Sequence, residues 1–224
     1  MSKKIEAVIF DVDGVLLDSM PSLNAMPSIM LEKLGIEPEP NLAQILFADT
    51  FETASKYMIK RYNLNYSPEQ LYKKIMDHQT DIYINEIIPK KYAKETLEYL
   101  NKSGIPIVIA TTNERCLCEG AMKKHGFYDY FSGIVTSPEI GKTKAEPDIF
   151  IAALQLLGTP KENTVLFEDG LHAIKTANKM GLPTIGVFDQ ASSHHQAEIR
   201  KLANQYVIDL GEWLSSPAAK NLTY

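Results

Sequence analysis

Short apolar runs alternate with helical patterns over most of the chain. Five of the six residues in IEAVIF (5–10) are apolar, which predicts a short strand buried on both faces, of the kind found in helix-covered parallel sheets. From Pro89 onward the alternation is regular. It reads as helix 90–102 closed by Gly104, strand 105–110, helix 114–125 closed by Gly126, strand 133–136, helix 147–157 closed by Gly158, strand 164–167, helix 171–180 closed by Gly181, and strand 184–187. A helix near 193–203 and a strand over 206–209 complete the pattern. Such alternation predicts an α/β fold, a Rossmann-like parallel sheet with right-handed crossovers.

Residues 16–88 break this rhythm and read as helical throughout. Pro21 and Pro27 limit the first stretch, leaving firm helix only from Ser28 to Leu34, where Gly35 ends it. The segment EPEPN (37–41) is a loop. A second run over 50–61 places Phe51, Ala54, Tyr57 and Met58 near one face. Ser67, Pro68 and Gln70 form a capping-box signature that opens a long helix over 68–86. The chain thus divides into an α/β core (1–15 and 89–224) and an all-helical insertion (16–88), which leaves the sheet directly after the first strand and so overhangs the strand ends.

Those strand ends carry the polar chemistry. The first apolar run stops at Asp11-Val12-Asp13-Gly14. Residues i and i+2 of an extended backbone point the same way, so Asp11 and Asp13 address one ligand, and Gly14 lets the backbone turn close beside it. Two carboxylates so near repel, and a divalent cation or a protonated acid resolves the conflict. IVIATTN (107–113) is a strand ending in Thr111, with Thr112 and Asn113 as further donors; VLFEDG (165–170) is a strand ending in Glu168 and Asp169. Between them Lys144 lies in the loop of KAEPDIF, with Lys142 as a competitor two residues earlier. Taken singly, each has a bland alternative: a polar turn, a cap or a solvated lysine.

Four such motifs in order resemble the haloacid dehalogenase superfamily of phosphatases and phosphomutases, in particular its β-phosphoglucomutase and phosphoglycolate phosphatase-like subgroup. The resemblance runs from Phe10 to the strand around Thr184. It implies Asp11 as nucleophile, Asp13 as general acid/base, Thr111 and Lys144 as catalytic partners of the phosphoryl group, and Gly14, Thr112 and Asn113 around the phosphate. The family's lysine stands three residues before the proline, and by that resemblance Lys144, three before Pro147, is favoured over Lys142. It also implies Mg²⁺ held by Asp11, the backbone carbonyl of Asp13 and Asp169, with Glu168 as an outer partner or occasional ligand, and makes the insertion a mobile cap. Gly170 and Ala173 depart from the family's usual serine and glycine, and Glu114 stands where the mutases carry a lysine. The expected function is Mg²⁺-dependent hydrolysis of a small phosphorylated metabolite through an aspartyl phosphate. A sugar-phosphate mutase is the alternative; a signalling receiver domain, about half this length, is a poorer match.

Composition narrows the partners. A net charge of −5 and only three arginines (Arg61, Arg115 and Arg200) argue against a nucleic-acid surface. The segment after MSKK is too short, and too interrupted by Glu6, for a secretory or membrane segment. A cytoplasmic monomer or weak dimer without membrane partners is expected. Cys116 and Cys118 fall on different faces of a helix and read as inert thiols, while His172, His194 and His195 lack metal spacing and read as exposed. Lys56, Lys60 and Arg61, the cap's candidate anion binders, read as a solvated helix face.

Overall fold

The computed structural model describes residues 3–224; the first two residues of the MSKK segment lie outside the described residues. Among the described residues six strands form one parallel sheet in the order β3-β2-β1-β4-β5-β6. The strands are β1 (Ala7–Phe10), β2 (Ile107–Thr111), β3 (Gly133–Thr136), β4 (Thr164–Glu168), β5 (Thr184–Val187) and β6 (Gln205–Val207). Strand order reverses between β1 and β4, and in open α/β sheets that switch point opens the ligand crevice at the strands' carboxyl ends.

Period-two alternation sends successive side chains into different cores. Val8, Phe10, Ile107, Ile109, Val165 and Phe167 enter one, together with residues of α5 (Ala93–Lys102) and α6 (Arg115–Lys124). Ile9, Val108, Ala110 and Leu166 enter the other, against α8 (Asp148–Leu157) and α9 (Leu171–Met180). Burial on both sides explains why these strands carry nearly continuous apolar runs.

The chain leaves β1 for α1 (Met20–Lys33), α2 (Leu42–Ile45), α3 (Phe51–Tyr62) and α4 (Pro68–Asp81), then a π-helical turn, Ile82–Glu86, before returning to the sheet. These helices bury their own core of Met26, Met30, Leu31, Met58, Leu71 and Ile75. The predicted capping box is present: Ser67 Oγ accepts from Gln70 N–H while Gln70 Oε1 accepts from Ser67 N–H. The two crossings lie side by side, Asp18 N–H donating to Ile88 O and Lys90 N–H to Leu16 O, both at 2.9 Å.

Several boundaries differ from those the sequence predicts. Helix α1 begins at Met20 and runs through Pro27, rather than starting at Ser28. Pro21 sits in the first turn, where a missing N–H is harmless, and Pro27 is buried beside the insertion's core, so tertiary burial offsets the lost helical bond. The long 68–86 helix changes to π geometry at Ile82. The 193–203 helix splits into a 3₁₀ turn (Ser193–His195) and α10 (Gln196–Leu202), and β6 ends at Val207. Unforeseen are α2, α7 (Ser137–Ile140) and two closing helices, α11 (Leu210–Ser215) and α12 (Pro217–Asn221). Trp213 of α11 is fully buried, its ring edge-on to Phe167 at 5.1 Å between centroids.

Candidate active site

Parallel register aligns Phe10 with Phe167, and Asp11 N–H donates to Phe167 O at 3.0 Å. The residues that follow each strand therefore meet, bringing Asp11 beside Glu168 and Asp169. Lys144 reaches in from the loop before α8, its Nζ 2.6 Å from Asp11 Oδ1 and 2.8 Å from Glu168 Oε2. It is 2% exposed. Burial pulls the Lys144 pKa down, but the two carboxylates outweigh it and hold the ammonium above the ordinary lysine value. Lys142 is exposed and pairs instead with Glu146 and Asp148.

The two aspartates of the first motif have different surroundings. Burial and then repulsion from Glu168 push the Asp11 carboxyl well above the usual range, against the pull of Lys144. Asp13 faces neutral donors: Ser19 Oγ at 2.5 Å and Tyr83 Oη at 2.6 Å on Oδ1, Asn113 Nδ2 at 3.3 Å and Thr111 Oγ1 at 3.5 Å on Oδ2. Burial raises its pKa while the hydrogen bonds from Ser19, Tyr83 and Asn113 lower it. Ser19 immediately precedes α1 at the insertion's entry and Tyr83 lies on its π-helical exit, so both crossings grip the same carboxylate oxygen.

Oxygen atoms of Asp11, Glu168 and Asp169 lie within 4.8 Å of one another, all buried. Among the described residues Lys144 alone forms an ion pair with this group, contacting Asp11 and Glu168 but not Asp169. Glu168 is otherwise occupied, its Oε1 accepting from the backbone N–H groups of Asp169 and Gly170. Asp169 Oδ2 is buried with no hydrogen-bond partner among the described residues. Burial, Glu168 and Asp11 raise the Asp169 pKa well above the ordinary value. Gly14 adopts φ +83°, and a Cβ there would stand 2.8 Å from Asp169 Oδ2. Hard oxygen donors, excess negative charge and an unsatisfied buried carboxylate oxygen suit Mg²⁺.

Above the aspartates a cavity of about 80 Å³ separates the insertion from the strand ends. Asp13, Thr112 and Asn113 line its floor, and Met20, Leu23, Asn24, Phe47, Asp49 and Phe51 are among its walls. The structure thus gathers Asp11, Asp13, Gly14, Thr111, Asn113, Lys144, Glu168 and Asp169 at one sheet edge, with Thr112 at the cavity mouth.

Sequence reasoning missed three contributors. Tyr83 reads as a core aromatic on a helix, and Ser19 as the end of the first motif. Lys90 Nζ, from PKK, donates to Gly14 O at 2.7 Å, Phe188 O at 2.9 Å and Asp189 Oδ2 at 2.8 Å, tying the turn after Asp13 to the loop beyond β5. No local signal marks Tyr83 or Lys90, because their contacts are made across the fold, while Ser19 is only six residues from Asp13.

The histidine expectation needs correction for His172. Its ring is not exposed: it stands edge-on to Phe47 of the insertion, with Nε2 buried, and burial lowers its pKa. His195 is half-buried and only His194 is exposed, and no histidine belongs to a metal-binding cluster among the described residues. Cys116 is exposed and Cys118 buried, its thiol pushed up by burial. Lys56 and Arg61 are exposed and pair with Glu52 and Glu39. No described helix is long and apolar enough to cross a membrane.

Comparison with known proteins places this geometry in a family. Phosphoglycolate phosphatase of Neisseria gonorrhoeae is 28% identical over 188 residues, 82% of this chain and 80% of its own. Hexitol phosphatase A of Escherichia coli is 25% identical over 196 residues, 88% of this chain and 89% of its own. Among solved structures, CbbY of Rhodobacter sphaeroides in complex with phosphate has TM-score 0.84 at 20% identity, covering 96% of this chain and 98% of that one, which establishes a shared fold. The family model for haloacid dehalogenase-like hydrolases matches residues 8–187. From the strand that ends in Asp11 to the strand after the Glu168-Asp169 pair, the chain belongs to the haloacid dehalogenase-like hydrolases.

Proposed function

We propose that the chain is an Mg²⁺-dependent phosphatase that hydrolyses small phosphorylated metabolites in the cytoplasm through an aspartyl phosphate on Asp11, with the helical insertion acting as a mobile cap. The observation that carries this reading is the unequal treatment of the two aspartates. Asp11 contacts a buried ammonium and acidic neighbours that suit a cation; Asp13 is held by neutral donors that aim it without neutralising it.

In the first step an Asp11 carboxylate oxygen forms a bond to phosphorus as the ester P–O bond breaks, and Asp13 gives its proton to the departing alkoxide. Burial, which raises the Asp13 pKa, favours its carrying that proton. In the second step Asp13 takes a proton from water as the water oxygen bonds to phosphorus and the P–O bond to Asp11 breaks. Ester plus water gives alcohol plus phosphate, and both carboxyls return to their starting states. Lys144 offsets charge on Asp11 and the phosphoryl oxygens throughout. Thr111 and Asn113, which here donate to Asp13 Oδ2, would turn donors to the phosphate. Mg²⁺, when held by Asp11, the Asp13 carbonyl and Asp169, would neutralise and orient the phosphoryl oxygens. Lys90 and Gly14 keep the intervening turn close to Asp169.

Hydrolysis fits better than mutase chemistry because Glu114 is half-buried beside Tyr72, where a second phosphate would meet a carboxylate. Assay of a panel of phosphate monoesters with and without Mg²⁺ tests the reading. Phosphate release that requires the cation is expected, and Asp169→Asn should demand more of it. Activity unchanged in excess chelator would remove the metal from the scheme, and conversion of β-glucose 1-phosphate to glucose 6-phosphate faster than phosphate release would favour the mutase.

A further inference from the structure

Resting on the hydrolase reading, we infer that the leaving group this site accepts is a small alcohol with no anionic group of its own, bound through hydroxyl or amine donors by Asp49 and Asn24. The selectivity follows from what surrounds the cavity beyond the phosphate floor. Its walls pair the apolar surfaces of Met20, Leu23, Phe47 and Phe51 with two polar side chains, Asn24 and Asp49. No lysine or arginine lines it. The insertion has six cations, Lys33, Lys56, Lys60, Arg61, Lys73 and Lys74. All six are exposed. Three are paired with acids, Lys56 with Glu52, Arg61 with Glu39 and Lys73 with Asp77.

A carboxylate or second phosphate on the substrate would therefore be desolvated beside Asp49 with no cation to receive it. Partial burial already raises the Asp49 pKa against a hydrogen bond from Thr53, so a second anion there would meet repulsion or require proton uptake. The adjacent cleft adds carboxylates. Glu52, which follows Phe51 and pairs with Lys56, and Glu114, which follows Asn113, line it with Glu69 and Tyr72. With Glu52 neutralised by Lys56, the cleft's charge against anions rests on Glu69 and Glu114. Size agrees: about 80 Å³, at roughly 10–15 Å³ per water-sized group, holds about five to eight such groups, the scale of a small alcohol. Asn24, without a side-chain hydrogen bond among the described residues, and Asp49 are free to take donors from such an alcohol.

Three two-carbon esters differing only at the far end test this directly: 2-hydroxyethyl phosphate, ethanolamine phosphate and phosphoglycolate. The hydroxyl and ammonium esters are expected to exceed phosphoglycolate in kcat/KM by about tenfold or more, the size of one unfavourable charge contact. Asp49→Asn should narrow the gap, mainly through KM, and Asp49→Lys should reverse it. Circular dichroism of each variant checks that the fold is retained. Preference for phosphoglycolate in the parent enzyme, or a gap that Asp49→Asn and Asp49→Lys both leave unchanged, would overturn the inference alone. Failure to hydrolyse any of the three, or any wider panel of monoesters, would overturn the hydrolase reading and this inference together.

Discussion

The two ends of the active site are built on opposite principles. At the sheet edge, three carboxylates and an ammonium are crowded out of water within contact distance, and each group's state depends on the others. At the insertion end, the walls are methionine and phenylalanine with one amide and one carboxylate, and no cation. The first environment makes charge expensive to leave uncompensated and so suits phosphoryl chemistry, while the second makes added negative charge unwelcome and so sorts alcohols. On the proposed reading, chemistry lies at the strand ends and choice of substrate with the helices of the insertion.

The largest expected effect lies at the sheet edge. Asp11→Asn removes the attacking carboxylate while leaving a side chain of similar shape, and turnover should fall by about 10⁴-fold or more; steady-state phosphate release measures it, and a fall of only a few-fold would move the nucleophile elsewhere. Asp13→Asn should follow, with a loss of roughly 10²- to 10⁴-fold, larger for substrates with poor leaving groups. Equal losses for good and poor leaving groups would argue against Asp13 as proton donor.

Tyr83 joins the two ends. Tyr83→Phe keeps the buried ring and removes one donor from Asp13 Oδ1, which retains Ser19. Because that hydrogen bond lowers the Asp13 pKa, its loss raises it, and the limb of the pH–rate profile belonging to Asp13 should move to higher pH with kcat down by about tenfold. A profile that does not move would reduce Tyr83 to packing.

The smallest effect lies on the insertion's outer face. Glu39 has a lowered pKa, first through its hydrogen bond from Arg61 and then from that of Tyr57. Its stabilising contribution is therefore present above the unfolded-state glutamate pKa and is lost as pH falls through the lower folded value. Glu39→Gln should lower Tm slightly at neutral pH and converge with the parent in acid, without changing kcat. Identical melting curves at neutral pH would show that this exposed pair contributes nothing measurable.

The same contrast explains what could be read in the sequence. Asp11, Asp13, Thr111, Glu168 and Asp169 follow buried apolar runs, and a parallel sheet brings successive strand ends to one edge, so their assembly follows from a short pattern. Lys144 was legible through its spacing to Pro147, and Ser67 with Gln70 through a cap that acts within four residues. Tyr83, 70 residues from Asp13, and Lys90, 76 from Gly14, depend on how the insertion returns to the core, which no local pattern encodes. Pro27 shows the converse: a strong local signal against helix was overridden by burial. Helix α11 has an Asp209 cap, and Glu212 accepts from Ile208 N–H, but at six residues it is too short for periodicity to reveal.

Covalent trapping of phosphate on the protein addresses the chemistry most directly. With a slow ester and Mg²⁺, rapid acid quench followed by peptide mass spectrometry should find one phosphoryl group on the peptide containing Asp11, formed and lost at rates compatible with turnover, accumulating in Asp13→Asn if its first step survives, and absent from Asp11→Asn. A phosphoryl group on another residue, or full single-turnover phosphate release with Asp11 never labelled, would contradict it.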